Sequence, residues 1–318
     1  MRSSWIHLAF AAVVAARGFS SNCTNPAVRI EWSSLDSSEQ IAYLDAERCL
    51  WDLSAETHLS NVTNRYIDLV AVHQSLTDYF HGDGVFLPWH RYYVHTHATL
   101  LRKHCNYTGP IPYVKTTRFL CRWWDERKDS GAFSNASMFS PSTFSSVSGT
   151  PYNGIITDQK QSHYVCVTDG ARLPLFYFAN TTLHIGFGME ETNHCLSRDV
   201  NENQSNTTSD HYAEMCNSYG NYIDMFKCAF QYPHGGVGGV MGDVSGSPGD
   251  FVFFLHHGFN DRNWLYQLSG YTTESEPSTG WVDVTLDYNL TSYEVIPDAT
   301  IEQVMDTKGG YLCYTYDY

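Results

Sequence analysis

Charge is scarce in this chain and mostly of one sign. Only 17% of its 318 residues are charged, and 19 basic against 34 acidic side chains leave a formal charge of −15 at pH 7. Such a chain repels phosphate backbones and anionic bilayers, which excludes nucleic acid and acidic membrane as expected partners. Long apolar runs are also missing. Past Ala16 nothing approaches the roughly 20 apolar residues that span a bilayer. No two of the nine cysteines stand in a Cys-x-x-Cys arrangement, so a zinc ribbon or thioredoxin-type site is unsupported. A His-Glu-x-x-His helix is absent too, which disfavours a zinc hydrolase. No internal repeat or low-complexity run divides the chain.

What is present points to export. Arg2, an apolar run from Leu8 to Ala16 and then small residues read as a secretory signal over 1–20, leaving 21–318 as one domain. Asn-x-Ser/Thr acceptors occur at Asn22, Asn61, Asn106, Asn135, Asn180, Asn203, Asn206 and Asn289, a density that predicts N-glycosylation. In an exported chain the nine cysteines predict up to four disulfides and one unpaired thiol, without fixing the pairing.

Fifteen histidines carry the chemistry. Most are ordinary polar groups, but His73, His81 and His90 fall within eighteen residues, in the stretch HQSLTDYFHGDGVFLPWHR. His73 is expected to end a helix over 62–76. His81 sits in a turn made possible by Gly82 and Gly84, and His90 follows Pro88 into a helix over 89–104. Ligands from two helices and their connection can converge on one ion, and Phe86, Leu87 and Trp89 supply packing. A second stretch, FFLHHGFNDRNW, lies on a helix predicted over 251–268 with Asp250 as its cap. There Phe253, His257 and Asp261 share one face, while His256 points about 100° away and reads as a packing or supporting group. Another helix is predicted over 39–59 from the spacing of Ile41, Leu44, Cys49, Leu50 and Leu53. His97, His104, His184 and His194 read as structural. The polar stretches 134–154 and 201–210 read as loops, and 281–318 as β-like. The fold class is therefore mainly α: a four-helix bundle around a metal centre, with long loops and a few short β-strands.

The two histidine stretches resemble the paired copper motifs of the tyrosinase and catechol oxidase family, type 3 copper proteins, most nearly its short secreted members from filamentous fungi. The resemblance covers roughly 41–268. It implies two copper ions, dioxygen, and a phenolic small molecule or tyrosine-containing peptide oxidised to a quinone. It assigns His73, His81 and His90 to the first copper, and His234 and His257 to the second. Phe253 becomes the substrate gate, and Asp261 and Arg262 orient the helix or a ligand ring. The sequence also departs from the pattern. Phe230 stands four residues before His234, where the remaining ligand belongs, although Pro233-His234 can also be read as two ligand sites fused into one. On either alignment one ligand is absent. Phenylalanine cannot bind copper, so a non-catalytic secreted glycoprotein of the same fold is the rival expectation.

Smaller departures follow the same comparison. Tyr79 replaces a cysteine that many relatives link to the second histidine, so no thioether is expected at His81. Ala98 stands where a Glu is usual. Gln231 stands where an Asn assists monophenol hydroxylation, which favours diphenols. The Pro-Tyr-Trp-Asp motif is split into Pro112-Tyr113 and Trp124-Asp125, and the intervening 114–123, like 171–177, reads as a gene-model artefact; the same kind of error beside His234 would account for the missing ligand. Longer members carry a C-terminal domain that plugs the site, which this chain is expected to lack.

Overall fold

Asp36 opens helix α1 (Ser37–Asp52) with a reciprocal capping box: its carboxylate accepts from the Glu39 amide, and Glu39 accepts from the Asp36 amide. Asn64 caps α2 (Arg65–Phe80) through the Ile67 amide. Helix α3 (Phe86–Cys105) stops where Asn106 turns left-handed at φ 50°, with Arg102, Lys103 and His104 in the last turn at the negative end of the dipole. Then come α4 (Glu202–Ser205), α5 (Asp210–Asn217), α6 (Tyr222–Gln231), α7 (Val252–Leu265) and α8 (Ile301–Met305). This is a computed structural model, and it describes residues 23–60, 62–81, 84–109, 122–144, 147, 149–151, 165–167, 182–185, 190–193, 196–231, 239–265 and 284–317. The expected signal, His194, His234 and the stretch 171–177 lie outside the described residues.

Short strands accompany the helices: β1 (Ala27–Glu31), β2 (Arg122–Trp123), β3 (Gly149–Pro151), β4 (Val165–Val167), β5 (Thr182–Ile185), β6 (Glu190–Asn193), β7 (Ser197–Arg198), β8 (Asn289–Leu290), β9 (Ala299–Thr300) and β10 (Tyr314–Tyr316). β1 is flanked in parallel by β10 and β2, in the order β10-β1-β2. Both ends of the described chain thus meet, and a Cys23–Cys313 disulfide spans 290 residues to hold them. Two further bridges, Cys49–Cys105 and Cys216–Cys228, tie α1 to α3 and α5 to α6. The mainly helical class is as expected, with α1, α2, α3 and α7 sharing one apolar core.

Boundaries moved for identifiable reasons. α2 runs on to Phe80 because that ring is buried and stacks on Trp89 at 3.7 Å, so His73 lies inside the helix and His81 becomes its C-cap. α1 stops at Asp52, and Ile41 is exposed while Tyr43, Leu44, Leu50 and Trp51 take the core face. The stretch 201–210 is not a loop. Asn201 caps α4, and the Glu202 carboxylate accepts from the amides of Phe133 and Ser134. The tail is only partly β, since α8 interrupts it and Leu286 points to solvent. Beside the Trp-Asp half of the split motif, Trp123 is fully buried in β2 against β1 and donates to Asp317. Residues 110–121 lie outside the described residues.

One buried carboxylate ties the ends to the bundle. Asp261 on α7 accepts from Arg29 of β1 at 2.9 Å, from Arg91 of α3, and from the hydroxyls of Tyr314 and Tyr316 on β10. Burial by itself would raise its pKa, but Arg91 and Arg29 outweigh that and hold the carboxyl below the usual carboxylate range. Asp250 plays a parallel part at the start of α7. It accepts from the Val252 amide, as expected of a cap, and is paired with fully buried Arg198 at 2.7 and 2.8 Å.

Candidate metal centre

His73, His81 and His90 come together. One ring nitrogen from each lies within 4.8 Å of those of the other two. Their ring centroids form a near-regular triangle with sides of 5.2, 5.4 and 5.7 Å. Each Nδ1 meets a main-chain carbonyl: His73 that of Ser245 at 2.9 Å, His81 that of Thr77 at 3.0 Å, His90 that of Phe86 at 2.8 Å. A carbonyl oxygen only accepts, so each Nδ1 carries the proton and each Nε2 presents its lone pair. Fixing the tautomer through the far nitrogen is how proteins orient metal-binding imidazole. Burial pushes His81 down to about 4, outweighing the Thr77 carbonyl, so this ring is neutral at pH 7 as a ligand must be. Three neutral nitrogens without carboxylate or thiolate suit copper. The residues fit one copper ion.

The two local carbonyls explain why the sequence folds this way. Thr77 and Phe86 lie four residues before His81 and His90, so each ring folds back over its own helix, as helical side chains do. Ser245 comes from the chain entering α7, 172 residues away.

The second half is built differently. His257 stacks on His90 with centroids 4.1 Å apart and planes within 11°. Phe253, one turn earlier, lies 4.3 Å from His257, 5.2 Å from His73 and 6.1 Å from His90. It is 1% exposed, so among the described residues it is a covered ring packed against the histidines. Phe230 lies in the last turn of α6, 40% exposed, with its ring 5.4 Å from Phe86; Phe86 in turn lies 4.3 Å from His90 and 6.0 Å from His257. Phe230 therefore stands one ring away from the histidine cluster and offers no donor. Among the described residues the second site has only His257 of its expected ligands.

Other expected roles resolve. His256 is held at both nitrogens, donating to Glu126 and accepting from the Asn260 amide at 3.1 Å, so it supports rather than ligates. Asp261 orients the helix and not a ligand ring, because its oxygens are taken by Arg29, Arg91, Tyr314 and Tyr316. The Arg262 guanidinium lies 5.2 Å from the Trp123 ring, packing α7 against β2. His97 is a core residue stacked on Phe254 at 3.7 Å and bonded to Glu47. Sequence reasoning missed Glu126, whose only signal is its place directly after the split Trp124-Asp125 motif.

Comparison with known proteins agrees with this geometry. The common central domain of tyrosinase matches residues 63–267. A tyrosinase-like protein of Diaporthe leptostromiformis is 31% identical, over 93% of this chain and 81% of its own length. N-acetyl-6-hydroxytryptophan oxidase ivoB of Emericella nidulans is 30% identical over 93% of both chains. Among solved structures, a polyphenol oxidase of Thermothelomyces thermophila superposes with a TM-score of 0.69 at 22% identity, covering 92% of this chain and 89% of that one, which shows the shared fold. The matched domain takes in α2, α3 and α7 with their histidines, and on that ground this chain belongs to the tyrosinase family.

Proposed function

We propose that the protein is an exported type 3 dicopper oxidoreductase that oxidises phenols or o-diphenols to quinones with dioxygen. The observation that supports this most is the triangle of imidazoles with every Nδ1 proton committed to a main-chain carbonyl. His73, His81 and His90 hold one copper. His257 holds the second together with His234, which lies outside the described residues, and a further donor. Bound copper supplies the electron transfer between phenol and dioxygen.

The protein's share is geometry and enclosure. Phe86 and Phe253 pack on the ligand rings and keep water from them. Phe253 acts as the gate if the ring shifts from its covered position. Asp261 holds α7, and with it His257, against α3. Gln231, exposed at the end of α6, stands where an Asn is expected for monophenols, and favours o-diphenols as the preferred class. A relative named for oxidising N-acetyl-6-hydroxytryptophan is consistent with a hydroxylated aromatic substrate. Three disulfides, and solvent-exposed asparagines at the described glycosylation sites 106, 135, 203, 206 and 289, support an exported glycoprotein.

Phe230 favours a second reading, a non-catalytic secreted glycoprotein that keeps the first copper alone. Copper per chain and oxygen uptake with 4-methylcatechol, measured together on the copper-loaded protein, separate the two. Two ions with oxygen uptake support the oxidase. One ion without uptake supports the rival, and a folded chain that binds none rejects both.

A further inference from the structure

Glu126 is fully buried in the turn that follows β2. Its main chain is pinned on both sides: its amide donates to the Trp124 carbonyl at 3.1 Å, and its carbonyl accepts from the Thr208 hydroxyl at 3.0 Å. The Trp124 amide in turn donates to the Leu255 carbonyl of α7 at 3.3 Å, directly before His256. From this anchored turn the Glu126 Oε1 accepts from Nδ1 of His256, while Asn260, one turn further along α7, donates to His256 Nε2 at 3.1 Å. Both nitrogens of the ring are engaged, so it cannot turn over about its Cβ–Cγ bond without breaking both bonds. The other carboxylate oxygen, Oε2, is buried with no hydrogen-bond partner among the described residues. A carboxylate taken out of water with part of its acceptor capacity unused is a poor way to stabilise a core. What it does fix is a ring beside a proposed ligand. His256 and His257 meet edge to face, with centroids 5.1 Å apart and planes at 81°. With His90 stacked at 4.1 Å and Phe253 at 4.3 Å, His256 is a third wall around His257.

We propose that Glu126 is a positioning residue: by locking the His256 ring it sets the plane of the neighbouring His257 ring and keeps it stacked on His90. The reach of the carboxylate carries this role, not its charge. That His257 then receives copper rests on the oxidase reading above; the placement of its ring does not.

Two variants of the full-length protein separate reach from charge. Glu126→Gln keeps the reach and an acceptor for Nδ1 but loses the charge. Glu126→Asp keeps the charge and is one methylene too short to meet the ring. In crystals of the metal-free variants, His257 should stay stacked on His90 in Glu126→Gln and leave the stack in Glu126→Asp. In calorimetric titration with copper, second-site affinity should stay within about twofold of the parent in Glu126→Gln and fall about 10- to 100-fold in Glu126→Asp, the range for groups that orient ligands from behind. First-site affinity should be unchanged in both, because the carbonyls that hold His73, His81 and His90 are untouched. If Glu126→Asp does not fold, Asn260→Ala, which releases the other ring nitrogen, replaces it with the same expectation. An undisplaced ring in Glu126→Asp, or equal displacement in both variants, overturns the proposal. So does weakened copper in Glu126→Gln with the ring in place, which would assign the role to charge. A displaced ring in Glu126→Asp with copper binding as in the parent upholds the positioning and counts against His257 as a ligand, and so against the oxidase.

Discussion

The two halves of the metal centre differ in what surrounds their histidines. On the α2/α3 side, two of three imidazoles are oriented by carbonyls of their own helical turns, and the third by Ser245 at the approach to α7. On the α6/α7 side, His257 stacks on His90 and is flanked by Phe253, and the last turn of α6 presents the ring of Phe230 at the position where a ligand is expected. Hydrogen bonds specify a tautomer and a lone-pair direction, whereas ring stacking specifies only a plane. The first half therefore presents three imidazoles of fixed tautomer. The second depends on what the chain adds around His234.

The sharpest way to break this contrast is His90→Ala. It removes a ligand from the first half and the ring that supports His257 in the second, so copper content should fall to near zero, an affinity loss of at least about 100-fold. Metal analysis of the purified variant checks it. Asp261→Asn should cost about 3–5 kcal/mol in thermal or denaturant unfolding, because it leaves Arg29 and Arg91 buried beside a neutral amide. The same residue sets an acid limb. Its folded pKa is depressed, so its contribution is complete above the ordinary carboxylate range and is lost as pH falls through the folded value. Stability measured against pH should decline more gently on the acid side in Asp261→Asn than in the parent.

Phe230→His tests the weaker half directly. If α6 delivers that position to the second ion, copper at the second site should be held at least about tenfold more tightly, because an imidazole replaces a ring with no lone pair. An unchanged affinity would show that the missing donor lies elsewhere. The smallest effect is expected at Asn64→Ala. Loss of the cap of α2 should cost about 1 kcal/mol in stability and leave copper content unaltered, since the carbonyls that orient the three rings are untouched.

Much of this centre was legible in the sequence. Three histidines in a helix–turn–helix setting predict a convergent set, and Asp250 announces the start of its helix. The four helices of the bundle were placed, but their ends were not. Phe80 extends α2 because Trp89 offers a stacking partner, and no local pattern contains that fact. The polar stretch 201–210 misled for a related reason: Asn201 and Glu202 hydrogen-bond main-chain amides, which makes a polar sequence ordered. Asp261 could be read as important but not as what. Its partners are 232 residues away at Arg29 and 53 away at Tyr314.

The division has one physical basis. The sequence by itself determined which donor atoms exist, which stretches form the four helices, and that one second-site position carries phenylalanine, because these depend on residue type and on contacts within a few residues. The tertiary structure alone decided which nitrogen of His73 faces the centre, why His256 is excluded from it, and that both ends of the described chain close on α7 through Asp261. Those outcomes follow from buried hydrogen bonds between distant segments, whose partners become known only when the chain has folded.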